Sequence, residues 1–165
     1  YNEPEMTKAA LKDGWLYTGD KGETDADGFL KITGRVKEIF KTDKGKYVAP
    51  APIEMKLSKN QFIEQICVVG ASLPQPMALV VLSAEGKASN NNFVIESLSK
   101  TLLTVNSELE KHERVQKVVI VSEDWNIENG LMTPSMKIKR DPIEKKYQLH
   151  YSNWYNSEQA VFIVA

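Results

Sequence analysis

Three runs of consecutive apolar residues constrain this chain most: Ile66-Cys67-Val68-Val69-Gly70, Met77 to Leu82, and Val118 to Val121. Uninterrupted runs of this length read as strands covered on at least one face. The Ser72-Leu73-Pro74-Gln75-Pro76 break makes the first two neighbours. Helices to cover them are also legible. From Phe93 to about Glu113, the residues Val94, Leu98, Leu102, Val105 and Leu109 recur at spacings of four and three, one helical stripe against a core, and Asn90-Asn91-Asn92 offers caps. Pro52 suits the first position of a helix running to about Lys59, because the N–H it lacks has no partner there. Asp141-Pro142-Ile143-Glu144 supplies a capping residue, a first-turn proline and an acid at the third helical position, the start of a final helix. The order predicts a compact α+β unit from about residue 39 onward. The apolar, β-prone tail from Ala160 to Ala165 should pair with a sheet edge or a neighbouring molecule.

The first forty residues differ, being dense in Gly and Asp. Asp13-Gly14, Gly19-Asp20, Asp27-Gly28 and Thr33-Gly34 mark turns. Between them, Trp15-Leu16-Tyr17 and Phe29 to Thr33 read as short strands, and the turn Asp25 to Gly28 should join two such strands as a hairpin. A second hairpin is predicted from Glu38 to Lys41 and Lys46 to Val48, around Asp43-Lys44-Gly45. Sheets this small bury little alone and need another surface to pack on.

Charge and composition narrow the function classes. The 165 residues carry 21 Lys+Arg against 22 Asp+Glu, a formal net charge of −1, with no long basic block. A generic nucleic-acid binder or a polybasic membrane anchor does not fit that balance. No apolar run reaches the ~18 residues of a membrane span, and no signal peptide is expected. One cysteine, Cys67, and two histidines, His112 and His150, give neither a disulfide framework nor a zinc ligand set. A cytoplasmic setting and no bound metal are therefore expected. The chain opens at Tyr1 and runs directly into polar sequence, which reads as a piece of something longer.

Four stretches could carry chemistry, and each has an ordinary alternative. Tyr17-Thr18-Gly19-Asp20 could be a simple turn, although a carboxylate on such a turn can accept hydrogen bonds from two vicinal hydroxyls, as acids that hold a ribose do. Gly34-Arg35-Val36-Lys37-Glu38 could be a solvated charged stretch, and Gly45-Lys46-Tyr47 an ordinary hairpin turn. Gly130 to Arg140, with Lys137 and Lys139, would by default be an exposed basic loop. Cys67 reads as core rather than nucleophile. His112, His150 and the Lys145-Lys146 pair read as surface.

Taken in order, these stretches resemble one superfamily. Gly14 to Asp20, Asp25 to Leu30, the run Gly34 to Glu54 (GRVKEIFKTDKGKYVAPAPIE) and Leu131 to Tyr147 (LMTPSMKIKRDPIEKKY) resemble the C-terminal part of an adenylate-forming (AMP-binding) enzyme, most of all a long-chain fatty acyl-CoA synthetase. The resemblance covers roughly residues 1 to 155. It implies the small C-terminal lid domain of such an enzyme: an N-terminal β-hairpin and a mixed sheet of about three further strands flanked by helices. A small β-rich strip from the large adenylation domain would precede it. The implied divisions are 1–37 for the end of the large domain, 38–155 for the mobile domain, and 156–165 for a tail of unassigned role.

The implied chemistry is activation of a fatty acid by ATP and Mg2+ to an acyl-adenylate, followed by transfer to the thiol of CoA. By motif position, Asp20 and Arg35 match the ribose-binding Asp and Arg, and Glu38 falls at the hinge, where the family more often has Asp. Lys137 matches the lysine that swings in for adenylation, where a fixed ammonium would stabilise charge building on the carboxylate and α-phosphate oxygens. Lys139 is the competing candidate, since in an extended loop it faces the same side. The general pattern has Gly just before this lysine; Met136 stands there instead, and long-chain members commonly lack that Gly, so the departure favours the subfamily. Gly45, Lys46 and Tyr47 match the loop that approaches the pantetheine arm of CoA. The resemblance places the phosphate loop, acyl tunnel, adenine pocket and magnesium-binding acid in a missing N-terminal adenylation domain. This piece alone is therefore expected to be inactive and to hold none of these cofactors tightly. Expected partners are that domain and the substrates fatty acid, ATP and CoA, with no nucleic acid; peripheral membrane association of the parent is left open. A ligase for another carboxylic acid and a non-catalytic α+β interaction module are the alternatives.

Overall fold

The computed structural model describes residues 2–164, so Tyr1 and Ala165, which end the first and last expected segments, lie outside the described residues. A short helix α1 (Pro4–Ala10) leads into two small hairpins. In the first, β1 (Leu11–Lys12) pairs antiparallel with β2 (Trp15–Leu16). In the second, β3 (Asp20–Thr24) pairs antiparallel with β4 (Leu30–Arg35) around the Asp25–Gly28 turn, where Asp25 Oδ1 accepts from the N–H groups of Asp27 and Phe29. The turn was expected, but its first strand is β3 rather than Trp15–Tyr17. β3, sequence DKGET, is exposed along its whole length, so no hydrophobic alternation announces it.

A single 3-10 turn, Val36–Glu38, follows, and then the hairpin of β5 (Phe40–Lys41) and β6 (Tyr47–Val48). Glu38 thus lies in the turn and not in the strand expected there. Helix α2 (Pro50–Leu57) begins two residues before Pro52, with Ala49 at its N-cap. Pro50 fills the first-turn role assigned to Pro52, and both prolines sit where backbone N–H groups lack helical partners anyway.

The remaining elements build the core. They are β7 (Ile63–Val69), β8 (Met77–Leu82), α3 (Ala84–Ala88), α4 (Asn91–Ser107), β9 (Lys117–Val121), α5 (Arg140–Tyr147), α6 (Tyr151–Tyr155) and β10 (Val161–Val164). The sheet order is β10-β9-β8-β7: β7 and β8 are antiparallel, and β8 with β9 and β9 with β10 are parallel. The mixed sheet expected with about three strands has four, because the tail completes it at one edge. Lys117, buried, secures the turn before that strand by donating from Nζ to the carbonyls of Ser157 and Gln159.

Alternate residues of the sheet enter two separate clusters. Val68, Ala78, Val80, Val118 and Ile120 pack with Ile53 and Leu57 of α2 and with Val94, Leu98, Leu102 and Val105 of α4. Cys67, Val69, Met77, Leu79, Val119 and Val121 pack with Ile143 and Tyr147 of α5 and with Trp125, Leu131 and Met132. Covering on both faces is why residues 66–69, 77–82 and 118–121 are apolar at every position. Helix α4 stops at Ser107, short of the expected Glu113, as the Asn106 side chain bonds both the N–H and the carbonyl of Val115 and turns the chain back. α3, capped by Ser83 Oγ on the Gly86 N–H, was not expected. Among the described residues, none before Thr42 is buried, and Trp15, Leu16, Phe29, Leu30 and Ile32 are all exposed.

Candidate functional site

The β3–β4 register places Asp20 directly opposite Arg35, and Arg35 Nε lies 3.1 Å from Asp20 Oδ1. Two local devices aim this pair. Gly19 takes φ +77°, which a residue with a Cβ adopts only at a cost, and its carbonyl accepts from the Val36 N–H at 2.9 Å. Thr18 Oγ1 accepts from the Asp20 N–H at 3.1 Å. A carboxylate accepts only and a guanidinium donates only, so side by side they complement a vicinal diol, whose hydroxyls do both. The Arg35 side chain is 62% exposed, so the ion pair itself adds little to stability.

Lys137 stands on a tight hairpin loop. Thr133 N–H donates to the Lys137 carbonyl (2.8 Å), Met136 N–H to the Thr133 carbonyl (2.9 Å) and Lys139 N–H to the Leu131 carbonyl (2.8 Å). Thr133 Oγ1 also accepts from the Lys137 N–H at 3.1 Å. The base is anchored by buried Leu131 and Met132, with Ile138 bridging back to Met132 and packing on the same cluster. The backbone is therefore fixed while the Lys137 side chain is exposed and, among the described residues, makes no ion pair. Met136 has φ +61°, the left-handed region. The expected glycine at this position thus has a physical reason, and Met136 holds the same turn under strain. Lys139 is half-buried and caps α5 through its carbonyl, which accepts from the Ile143 N–H at 3.2 Å. Asp141, expected as the cap, is instead the second residue of that helix.

The Gly45 loop turns tightly, with Gly45 at φ +72° and its N–H on the Thr42 carbonyl at 3.0 Å. Lys46 N–H donates to Thr42 Oγ1, and Lys41 Nζ lies 4.9 Å from the centre of the exposed Tyr47 ring. The space beside Gly45 is open, so the turn itself requires the glycine. The hairpin is fastened to the 70–76 segment by Ser72 N–H on Lys41 O and Asp43 N–H on Leu73 O.

Asp20 and Arg35 are brought together; neither bonds Lys137 or the Gly45 loop among the described residues. Glu38 Oε2 lies 3.7 Å from Arg140 Nη2, a contact unforeseen in the sequence. Arg140, first residue of α5, is nearly buried. Its Nη1 donates to the Val68 carbonyl (2.7 Å) and to Cys67 Sγ (3.2 Å), and its Nη2 to both oxygens of Glu54 (2.8 and 3.1 Å). Glu54 Oε1 also accepts from the Val68 N–H at 2.7 Å. Burial pushes the Glu54 carboxyl above its ordinary range, against the opposing pull of Arg140. The signal for Arg140 was a cation in the first turn of a helix, opposed by the macrodipole and therefore in need of a partner.

Cys67 is fully buried, and burial pushes its thiol up to about 12, the opposite of a nucleophile. His112 is half-buried beside Glu110, and His150 is exposed and stacked on Trp154. Among the described residues no cluster of three or more His, Cys, Asp or Glu is placed to hold a metal. No helix among them is long and apolar enough to cross a membrane.

A family model described as the AMP-binding enzyme C-terminal domain matches residues 38–159. Long-chain-fatty-acid–CoA ligase 5 of Mus musculus is 35% identical over 94% of this chain and 26% of its own length. Long-chain-fatty-acid–CoA ligase FadD15 of Mycobacterium tuberculosis is 33% identical over 96% of this chain and 29% of its own. The chain thus spans between a quarter and a third of the curated relatives it matches. The A-PCP didomain of carboxylic acid reductase from Segniliparus rugosus, solved in complex with AMP, superposes with a TM-score of 0.78 at 25% identity, covering 94% of this chain and 23% of that one.

Proposed function

The chain belongs to the AMP-binding enzyme C-terminal domain family, and from that premise we propose that it is the C-terminal part of a long-chain fatty acid:CoA ligase. In this reading, residues 38–155 rotate as a mobile domain on a hinge at Glu38, and 1–37 belong to the large adenylation domain. No described residue before Thr42 is buried, which supports that division, since the exposed Trp15, Phe29 and Ile32 need a surface to cover them. The role of 156–165 includes completing the sheet edge through β10.

The observation that carries the proposal is Lys137 itself: an exposed ammonium on a backbone-fixed loop, at the motif position of the adenylation lysine. Delivered to the reacting carboxylate and α-phosphate, it offsets negative charge without reorganising, an effect worth ~10²–10³ in rate for one such donor. Asp20 and Arg35 hold the ribose hydroxyls of ATP. After rotation, the Gly45, Lys46 and Tyr47 turn lies along the pantetheine arm of CoA. ATP and CoA enter as substrates, and magnesium is held by groups outside this chain. A cytoplasmic setting fits Cys67, a free thiol. A structural neighbour solved with AMP is a carboxylic acid reductase, which favours, as the second reading, an adenylate-forming enzyme for another carboxylic acid.

The test is a coupled assay of the full-length parent. ATP-, fatty-acid- and CoA-dependent release of AMP is expected, with none from residues 1–165 alone. Acyl-CoA formation by residues 1–165 alone, or its absence in the parent with long-chain acids, contradicts the proposal.

A further inference from the structure

Resting on the reading above, we propose that Arg140 is a positioning residue that joins the hinge acid Glu38 to the loop carrying Lys137, so that hinge and loop are set together. Arg140 begins α5 three residues after Lys137, and the intervening Lys139 closes both the loop, through its N–H on Leu131 O, and the helix, through its carbonyl. Any shift of the Arg140 backbone is thus a shift of the base of the Lys137 hairpin. Its guanidinium is held in place by Val68 O, Cys67 Sγ and both oxygens of Glu54.

For neutralising a buried cation, Glu54 alone suffices. Glu38 is a second carboxylate, 3.7 Å away, beyond hydrogen-bond reach but within ion-pair range, with a side chain 39% exposed. It is the releasable partner. Nε of Arg140 is buried without an acceptor, so this arrangement does not exhaust the guanidinium's donors. Rotation about the backbone between Glu38 and β5 moves the Glu38 carboxylate relative to a guanidinium tethered to Val68 and Glu54, and changes the load on those tethers. The ion pair is made or broken by the hinge, and the change is felt at the base of the Lys137 loop.

The experiment is a double-mutant cycle in the full-length ligase with Glu38→Gln, Arg140→Lys and the pair, reading both half-reaction rates separately. E38Q is expected to change the ratio of adenylation to thioesterification roughly two- to fivefold, the scale of a partly exposed ion pair. The double variant should shift that ratio no further than R140K alone. A purely structural Arg140 would lower both half-reactions together, leave the ratio of E38Q at the wild-type value, or give effects that multiply in the double variant; each overturns the proposal. Should R140K fail to fold, salt replaces it: the wild-type ratio should drift with ionic strength toward that of E38Q, whose own ratio stays flat. Parallel drift in both proteins overturns the proposal. Amide exchange at Thr133 and Lys139 in the same proteins separates this idea from the ligase reading. Faster exchange in E38Q supports the linkage even if no acyl-CoA forms, and unchanged exchange contradicts it even if the enzyme is active.

Discussion

Arg140 and Glu54 meet through two hydrogen bonds, from Nη2 to Oε1 at 2.8 Å and to Oε2 at 3.1 Å, at the junction of α5, α2 and β7. Eighty-six positions apart in sequence, they fix the helix start that follows the Lys137 loop. Removing one member of a buried pair strands the other's charge, a loss of about 3–5 kcal/mol. Glu54→Ala should therefore lower the stability of this chain by that order, read as a shifted urea midpoint.

Met136 occupies a left-handed conformation, φ +61°, at the tip of that loop. The strain of such a residue is ~1–2 kcal/mol, partly offset in glycine by its greater unfolded-state freedom. Met136→Gly is expected to raise stability by up to ~1 kcal/mol, and Met136→Ile, β-branched at the same φ, to lower it. Urea denaturation of the two variants checks the opposite signs.

How much of this was legible depended on what each residue faces. The core strands were readable because both faces are covered and their central residues are apolar, as along the whole of Met77–Leu82. β3 was not, since DKGET is exposed throughout and only its partner carries an apolar pattern. Both helix starts slipped by two residues, to Pro50 and Arg140, because a proline or an acid suits more than one first-turn position. Asp20, Arg35 and Lys137 were named from motif position. What sequence could not supply was which acid meets Arg140: Glu54 lies eighty-six positions away, and nothing local in either segment pairs the two.

Cys67 gives a pH-dependent signature. Burial pushes its thiol up to about 12 from an ordinary value near 9. Between those values the unfolded chain loses a proton that the folded chain keeps, so stability falls as pH rises from about 9 toward 12. Denaturation at pH 8 and pH 11 should show the fall, and it should be smaller in Cys67→Ala. The thiol should also resist a disulfide reagent at pH 8 until the protein is unfolded.

On the proposed ribose-binding role, Asp20→Asn in the full-length parent should weaken ATP binding about ten- to a hundredfold, the ~1.5–3 kcal/mol of a charge-assisted bond. Stability should barely move, because the Arg35 side chain is 62% exposed and solvent screens the Asp20–Arg35 pair. Isothermal titration with ATP beside a thermal melt separates the two effects.

In the proposed ligase, Lys137 acts in adenylation alone, and Lys137→Ala in the full-length parent separates that role from a general one when the two half-reactions are measured apart. Fatty-acid-dependent adenylate formation should fall by ~10²–10³, with thioester formation from supplied acyl-adenylate and CoA close to wild type. Equal loss of both half-reactions, or full adenylation without Lys137, would contradict it.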